Sequence, residues 1–284
     1  MSLKVCVFIT LYNQESVDIN KLIEISKICD YVYVYDNSEC KFSYQKNLFS
    51  LKENIFYNLN YINDGISKAL NAGCEFAINK NCSHILFFDQ DSSLSYDDLR
   101  SYIDGVSQRN DIEGVAAFSP NIICEYVNKN KYLCKKTEED KKWLITSGAL
   151  INLDIYKRTC GFDENLFIDL VDIDYCITVR KIGYKLIQLP TPIMYHSLGE
   201  VKKVFGMTLY QHSSLRNYYM FRNRLYIHKK HYGSYFSFSL IKRSLFHIFK
   251  IVIFEDDKIN KLSNINKAFG DVCCGKYGKY SKLE

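Results

Sequence analysis

Short apolar runs alternate with segments of helical periodicity through the first two hundred residues, the signature of a parallel α/β sheet. Val5 to Ile9 predicts a buried strand, and Ile19, Leu22, Ile23 and Ser26 recur at helical spacing within Val17 to Ile28. A second strand spans Tyr31 to Tyr35 and ends in the turn cluster Asp36-Asn37-Ser38. A third, around Asn54 to Leu59, leads into Asn63-Asp64-Gly65, after which Ile66, Leu70, Cys74 and Ala77 or Ile78 mark a helix face. The clearest central strand, His84 to Phe88, stops at Asp89-Gln90-Asp91.

Beyond it the pattern predicts a helix near Ser95–Gln108 and a strand at Gly114–Phe118 ending at Pro120. Residues 121–142 are polar and lysine-rich and read as an irregular loop. Ser147 to Ile151 restarts the sheet, Val171 to Ile182 is amphipathic, and Lys185–Leu189 is a strand closed by Pro190. The last third changes character, with tyrosines and phenylalanines crowded between Arg216, Arg222, Arg224, Lys229 and Lys230. From Ser234 to Phe254, Lys242, Arg243, His247 and Lys250 share one helical sector and Ile241, Leu245, Ile248 and Val252 lie opposite. Such a basic amphipathic helix either docks on an anionic membrane surface or packs on the body with its lysines solvated.

Composition narrows this picture. The 284 residues are 47% hydrophobic and 24% charged, with 13 glycines and 3 prolines, so disorder and fibrous repeats are excluded as the main state. Eleven scattered cysteines and no secretory leader predict reduced thiols in a cytoplasmic protein. The net charge of +5 divides into −6 for residues 1–200 and +11 for residues 201–284. An acidic body and a basic tail point to an anionic partner for the tail. No apolar run is long enough to span a bilayer.

In open α/β sheets, ligands bind beyond the carboxyl ends of the strands. Those ends carry Thr10-Leu11-Tyr12-Asn13, Asp36-Asn37-Ser38 and Asp89-Gln90-Asp91. Mg²⁺ or Mn²⁺ takes one or two carboxylates and completes its octahedron with phosphate oxygens and water, which suits Asp89 and Asp91. His196, placed on a loop after the last strand, could add a neutral imidazole to a site begun by Asp91. Asp169, Asp172 and Asp174 open the Val171–Ile182 helix, where carboxylates either cap free N–H groups or serve as a general base.

The order of these parts resembles inverting family-two glycosyltransferases of the GT-A fold, and most closely their rhamnosyltransferase-like branch. The resemblance runs through the strand ends above, residues 60–73, Phe88 to Ser92, Ser147 to Leu150 and Gly161-Phe162-Asp163-Glu164. It continues through Phe167 to Asp174, His196 to Gly199 and Arg216-Asn217-Tyr218-Tyr219 with Arg222-Asn223, and a looser echo reaches 268–278. It implies a Rossmann-like, mostly parallel sheet flanked by helices, with residues 1–200 catalytic and 201–284 a helical extension.

The resemblance further implies a nucleotide-sugar donor, dTDP-L-rhamnose or a UDP-hexose. Asp36 falls where the family accepts the N3–H of uracil or thymine, which a carboxylate can do. Thr10, Tyr12, Asn13, Asn63, Gly65 and Asp89 would line the nucleotide pocket, and Asp91 with Asp89 and His196 would hold Mg²⁺ or Mn²⁺. Asp172 would be the base of an inverting displacement, with Asp174 the alternative because Val171 replaces the family's Glu. Sugar or acceptor contacts are expected from Ser147, Gly148, Asp169 and Arg216. The implied acceptor is a lipid-linked or free oligosaccharide in cell-surface polysaccharide assembly, met by a peripheral enzyme at the cytoplasmic membrane face, with a homodimer as a further form.

Two other classes compete. A nucleotidyltransferase would use a similar domain, but no glycine-rich basic loop follows the first strand to hold a triphosphate. A single-stranded nucleic-acid-binding protein could stack bases on the basic aromatic tail, yet that leaves the acidic strand ends without a purpose.

Overall fold

The computed structural model describes residues 3–42, 44–48, 52–59, 61–92, 94–124, 137–196, 201–204, 207–235 and 237–280. In chain order the elements begin with β1 (Val5–Leu11), α1 (Ile19–Ile25), β2 (Tyr31–Asp36), α2 (Gln45–Leu48), β3 (Ile55–Leu59), α3 (Ile66–Asn79) and β4 (His84–Asp89). Next come α4 (Tyr96–Ser107), β5 (Val115–Cys124), β6 (Glu139–Asp140), β7 (Leu150–Asn152), α5 (Leu153–Tyr156), α6 (Val171–Lys181) and β8 (Lys185–His196). The chain then forms β9 (Val201–Val204), β10 (Met207–Tyr210), α7 (Ser214–Tyr232), α8 (Phe238–Phe254) and α9 (Lys258–Cys273).

Eight strands form one sheet in the order β3-β2-β1-β4-β7-β5-β8-β6. β3, β2, β1 and β4 run parallel, β7 is antiparallel to both β4 and β5, and β8 returns parallel to β5. Their side chains alternate between two cores. Cys6, Phe8, Tyr33, Ile85 and Phe87 pack against α3 and α6, while Val5, Val7, Val32, Leu86 and Phe88 pack against α1 and α4. Strands buried on both faces read as continuous apolar runs, which is why β1, β2 and β4 stand out in the sequence.

The structure corrects three expectations. β8 does not stop at Pro190 but continues through Pro192, whose peptide bond with Thr191 is cis, to His196. Proline lacks the N–H that a ladder needs, and here β6 pairs only with Ile187 and Gln188, leaving the outer edge beyond them without a paired strand among the described residues. His196 is therefore a strand residue, the register partner of Cys124, and its side chain lies outside the described set. Within 121–142, Asn121 to Cys124 extend β5 and Glu139–Asp140 form β6; residues 125–136 are outside the described residues.

Helices α7, α8 and α9 share a core of their own, built on Tyr218, Tyr219, Leu225, Ile251 and Ile265, onto which Phe167 of the body packs. α8 divides its basic sector: Lys242 and Arg243 are exposed, while His247 turns inward. Leu240, His247 and Ile251 are buried, His247 bonding Asn217 Oδ1 at 2.7 Å. Ile241, Leu245, Phe246, Phe249, Val252 and Ile253 all face outward. No described helix is long and apolar enough to cross a membrane. Nine cysteines among the described residues are free thiols.

Candidate active site

Sheet register brings the polar strand ends into one row. Thr10 is the partner of both Tyr35 and Asp89, and Leu11 is the partner of Asp36. Ser147, itself buried, accepts a hydrogen bond from the Asp89 backbone N–H at 3.2 Å. Gly148 follows with φ of 81°, and a Cβ there would meet Met194 and Pro120 at about 3 Å, so only glycine keeps this segment beside β4. Asp91 lies exposed on the turn beyond the strand. Tyr12 is exposed and its N–H donates to Gln90 Oε1 at 2.8 Å, while Asn13, at φ 47°, donates its N–H to Ser38 Oγ at 2.7 Å. A cavity of about 280 Å³ opens between β1, α1 and α4, with Gln14, Lys21, Asp89 and Gln90 among its walls.

Asp36 differs from expectation. Its carboxylate is fully buried, accepting from Ser38 N–H at 2.9 Å, Tyr57 Oη at 2.6 Å, Tyr44 Oη at 3.1 Å and Gln45 Nε2 at 3.4 Å. Burial beside this carboxylate pushes the Tyr44 phenol up to about 12 and raises that of Tyr57 further. In this arrangement Asp36 gathers the loop after β2 and offers no open oxygen to a base. Asp36→Asn is accordingly expected to lower the melting temperature, because a neutral amide accepts these donors less strongly. A thermal melt without ligand checks this, and an unchanged melt with lost nucleotide affinity would show direct base contact instead.

The Asn63-Asp64-Gly65 turn is clasped to the segment that precedes α6. Gly65, at φ 84°, donates its N–H to Asn63 Oδ1 at 3.0 Å, and an added Cβ would lie 2.5 Å from the Phe167 carbonyl. That carbonyl takes the Ile66 N–H at 2.8 Å, and Ser67 Oγ donates to the Leu166 carbonyl. The approach is so close that the glycine pins the start of α3 to the residues leading to α6.

Those residues end in two consecutive left-handed conformations, Asp169 at φ 66° and Leu170 at φ 64°. Non-glycine residues in this region carry backbone strain that surrounding contacts must hold. Asn223, fully buried, donates Nδ2 to the Ile168 and Asp169 carbonyls at 2.7 and 2.9 Å. Asp169 Oδ1 accepts from Nε and Nη2 of Arg216, both at 3.1 Å, and its Oδ2 is buried without a hydrogen-bond partner among the described residues.

The turn aims Asp172 inward at the start of α6. Burial, with the charges of Asp169 and Asp89 adding to it, pushes the Asp172 carboxyl up to about 6. Asp89 at the end of β4 and Asp169 in the turn are thus close enough for their charges to act on Asp172 of α6. Oδ1 of Asp172 accepts the Ile173 N–H at 2.8 Å, so it caps as well as faces the site. Asp174 points elsewhere. It is buried between Lys230 Nζ at 2.8 Å and His231 Nε2 at 2.7 Å from α7, which leaves Asp172 alone as the helix-start carboxylate in the site.

As a cation site, Asp89 and Asp91 supply hard oxygen donors, and no group of three or more His, Cys, Asp or Glu side chains gathers among the described residues. Two carboxylates with diphosphate oxygens fit Mg²⁺ or Mn²⁺, which keep water and phosphate in their shells; they do not make an all-protein cage. Sequence reasoning missed Tyr44, Gln45 and Tyr57 around Asp36, because tyrosines at half-buried positions are too common to stand out. It quoted Arg222 and Asn223 without assigning them the bracing they perform.

No family model matches the chain. A dTDP-rhamnosyl transferase, RfbF of Shigella flexneri, is 27% identical over 277 residues, covering 91% of this chain and 92% of its own. The fold matches S. aureus TarS 1–349 in complex with UDP-GlcNAc at a TM-score of 0.59 and 12% identity, over 99% of this chain and 95% of that one. The chain is a GT-A glycosyltransferase. Further glycosyltransferase structures agree. GalNAc-T7 with UDP, GalNAc and Mn²⁺ matches at a TM-score of 0.60 and 12% identity, over 96% of this chain, which spans 57% of that longer one. The mannosyltransferase PcManGT from Pyrobaculum calidifontis, in complex with GDP-Man and Mn²⁺, matches at 0.56 and 13% identity, covering all of this chain and 77% of its own. The rhamnosyltransferase-like motifs read in the sequence agree with the Shigella relative.

Proposed function

We propose that this glycosyltransferase moves L-rhamnose from dTDP-rhamnose to a saccharide acceptor with inversion at the anomeric carbon, for cell-surface polysaccharide assembly. The observation that carries the mechanism is the Asp89–Asp169–Asp172 convergence, in which one carboxyl is pushed up to about 6 beside two others. A base in this range is ionised at neutral pH and still accepts a proton effectively. Asp172 takes the proton of the acceptor hydroxyl as that oxygen attacks the anomeric carbon, and the nucleoside diphosphate leaves from the opposite face. The partnerless Oδ2 of Asp169 accepts from a sugar hydroxyl, with Arg216 holding the carboxylate in place.

Asp89 and Asp91 would hold Mg²⁺ or Mn²⁺, which supplies charge stabilisation to the leaving diphosphate when bound. Thr10, Tyr12, Asn13, Asn63 and Gly65 surround the nucleotide, and Ser147-Gly148 keep Asp89 in register. His196 is a further candidate at the end of β8. The acceptor is lipid-linked, and the outward apolar face of α8 supports a peripheral position on the cytoplasmic membrane face.

A thermal-shift panel tests the donor, because a ligand that binds only the folded state raises the melting temperature. Stabilisation by dTDP and UDP in the presence of Mn²⁺ is expected, and dTDP-rhamnose should exceed UDP-glucose and UDP-galactose. Asp91→Ala should remove the Mn²⁺-dependent part of the shift. A larger response to a UDP-hexose would make the enzyme a hexosyltransferase of the same fold, and equal shifts with and without Mn²⁺ would overturn the metal assignment.

A further inference from the structure

The mechanism leaves unused a groove between α6, α7 and α8. It encloses about 180 Å³, floored by Leu170, Ile173, Ile177, Ile227 and Leu240 and edged by Arg224, His228 and Arg243. Among the described residues, no acidic side chain lines it. Nη1 of Arg224 is buried and has no hydrogen-bond partner among the described residues. Burial disfavours the Arg224 charge, and the neighbouring Arg243 disfavours it further. Two arginines on one groove, close enough for one charge to disfavour the other and set beside apolar walls, are relieved by an anion.

The groove begins at Leu170 and Ile173, on either side of Asp172 in the chain, and ends at α8. On that helix Phe238 is 86% exposed, Phe246 68% and Leu245 62%. A soluble monomer rarely leaves so continuous an apolar face in water. The tail's net charge of +11 matches an anionic bilayer surface, to which each basic residue near the surface adds attraction. At 180 Å³ the space is smaller than the roughly 300–1,000 Å³ of pockets that enclose a drug-sized ligand. It suits a headgroup whose chain leaves along the helix.

We propose that this groove seats the phosphoryl headgroup of the membrane-embedded acceptor lipid, with Arg224 and Arg243 on its oxygens and the hydrocarbon passing over Ile177, Ile227 and Leu240 to α8 at the bilayer. The proposal deepens the reading of a lipid-linked acceptor and rests on it. The occupant is taken as the acceptor and not bulk phospholipid because Leu170 and Ile173, which flank Asp172 in the chain, line the groove, so an occupant is held at the helix start that carries this carboxylate. Guanidinium pairs suit phosphoryl oxygens through short, charge-assisted hydrogen bonds.

Flotation of the full chain with phosphatidylcholine vesicles tests it, the vesicles carrying no addition, phosphatidylglycerol, or a polyprenyl diphosphate at matched charge. Binding should be strongest to the diphosphate lipid. Arg224→Gln and Arg243→Gln should each weaken that binding about tenfold, the loss of one charged hydrogen bond, and leave phosphatidylglycerol binding nearly unchanged. Arg243 is exposed, so its variant keeps the fold whatever Arg224→Gln does. Phe246→Ser with Phe249→Ser should release the protein from every vesicle. Equal binding to both anionic vesicles, or arginine variants that bind like the parent, would overturn the groove assignment, as would a dimer that covers α8 and binds no vesicle. The nucleotide thermal shifts of the arginine variants should match the parent, so a failed groove leaves the donor reading intact and a failed donor reading leaves the flotation result standing.

Discussion

Asp172→Asn is expected to lower the transfer rate by about 10²–10⁴-fold, the range that a positioned general base contributes, while nucleotide binding stays unchanged. Asparagine keeps the oxygen that accepts the Ile173 N–H, so the helix start survives and only proton acceptance is lost. The parent rate should fall with acid through about pH 6, as Asp172 takes up a proton and stops acting as a base. Burial is the first cause of that raised value, so it outlasts neutralisation of Asp89 by a cation.

The same shift has a sign for stability. A carboxyl whose folded value lies above its ordinary value favours the protonated fold. Its contribution is full below about pH 4 and is lost as pH rises through about 6. Asp172→Asn should therefore be inactive yet more stable than the parent at pH 8, by up to about 3 kcal/mol, with the advantage shrinking toward pH 4. Urea titrations at the two pH values check this. Equal stabilities at pH 8, or wild-type turnover, would remove Asp172 from its role.

Arg222→Ala should be the most damaging single change to the fold, costing about 3–5 kcal/mol. Arg222 is 1% exposed and donates to the Gly278 carbonyl at 2.6 Å, the Asn165 carbonyl at 2.9 Å and Asn223 Oδ1 at 2.8 and 3.0 Å. It also lies 5.5 and 5.0 Å from the ring centres of Tyr218 and Tyr219. Truncation leaves a cavity, the Gly278 carbonyl short of its side-chain donor, and Asn223 unaligned for the left-handed turn at Asp169. Lysine lacks the planar fork that serves these partners together, so Arg222→Lys should also fail. The melting temperature should drop by roughly 10 °C. Arg216→Ala, on an exposed side chain, should stay within about 0.5 kcal/mol while impairing transfer.

The parallel half of the sheet was legible because β1, β2 and β4 are buried on both faces, and turn residues mark their ends. The β8 overrun was not legible, because a proline excludes a central strand but is tolerated at an open edge, and openness is a tertiary property. Asp172 and Asp174 look alike in sequence; only the Lys230 and His231 side chains, more than fifty residues away, separate them. The α8 pattern was visible, yet which side faces water depends on Asn217 receiving His247. The Arg224–Arg243 pair left no trace in the pattern, since arginines on helices are ordinary until nothing answers their charge.

The Arg222 bridge ties Gly278 to Asn165, and a little further on Lys279 Nζ reaches the Asn63 carbonyl at 3.1 Å and Glu39 Oε1 at 3.4 Å. This late segment thereby rests on the turn proposed to line the nucleotide pocket. A lineage that exchanged its last third by recombination, to adopt a new acceptor, would also disturb how the donor is held. On the proposed reading, donor and acceptor preferences would change together, and a workable chimaera should carry residues 36–67 along with the helices that press on them.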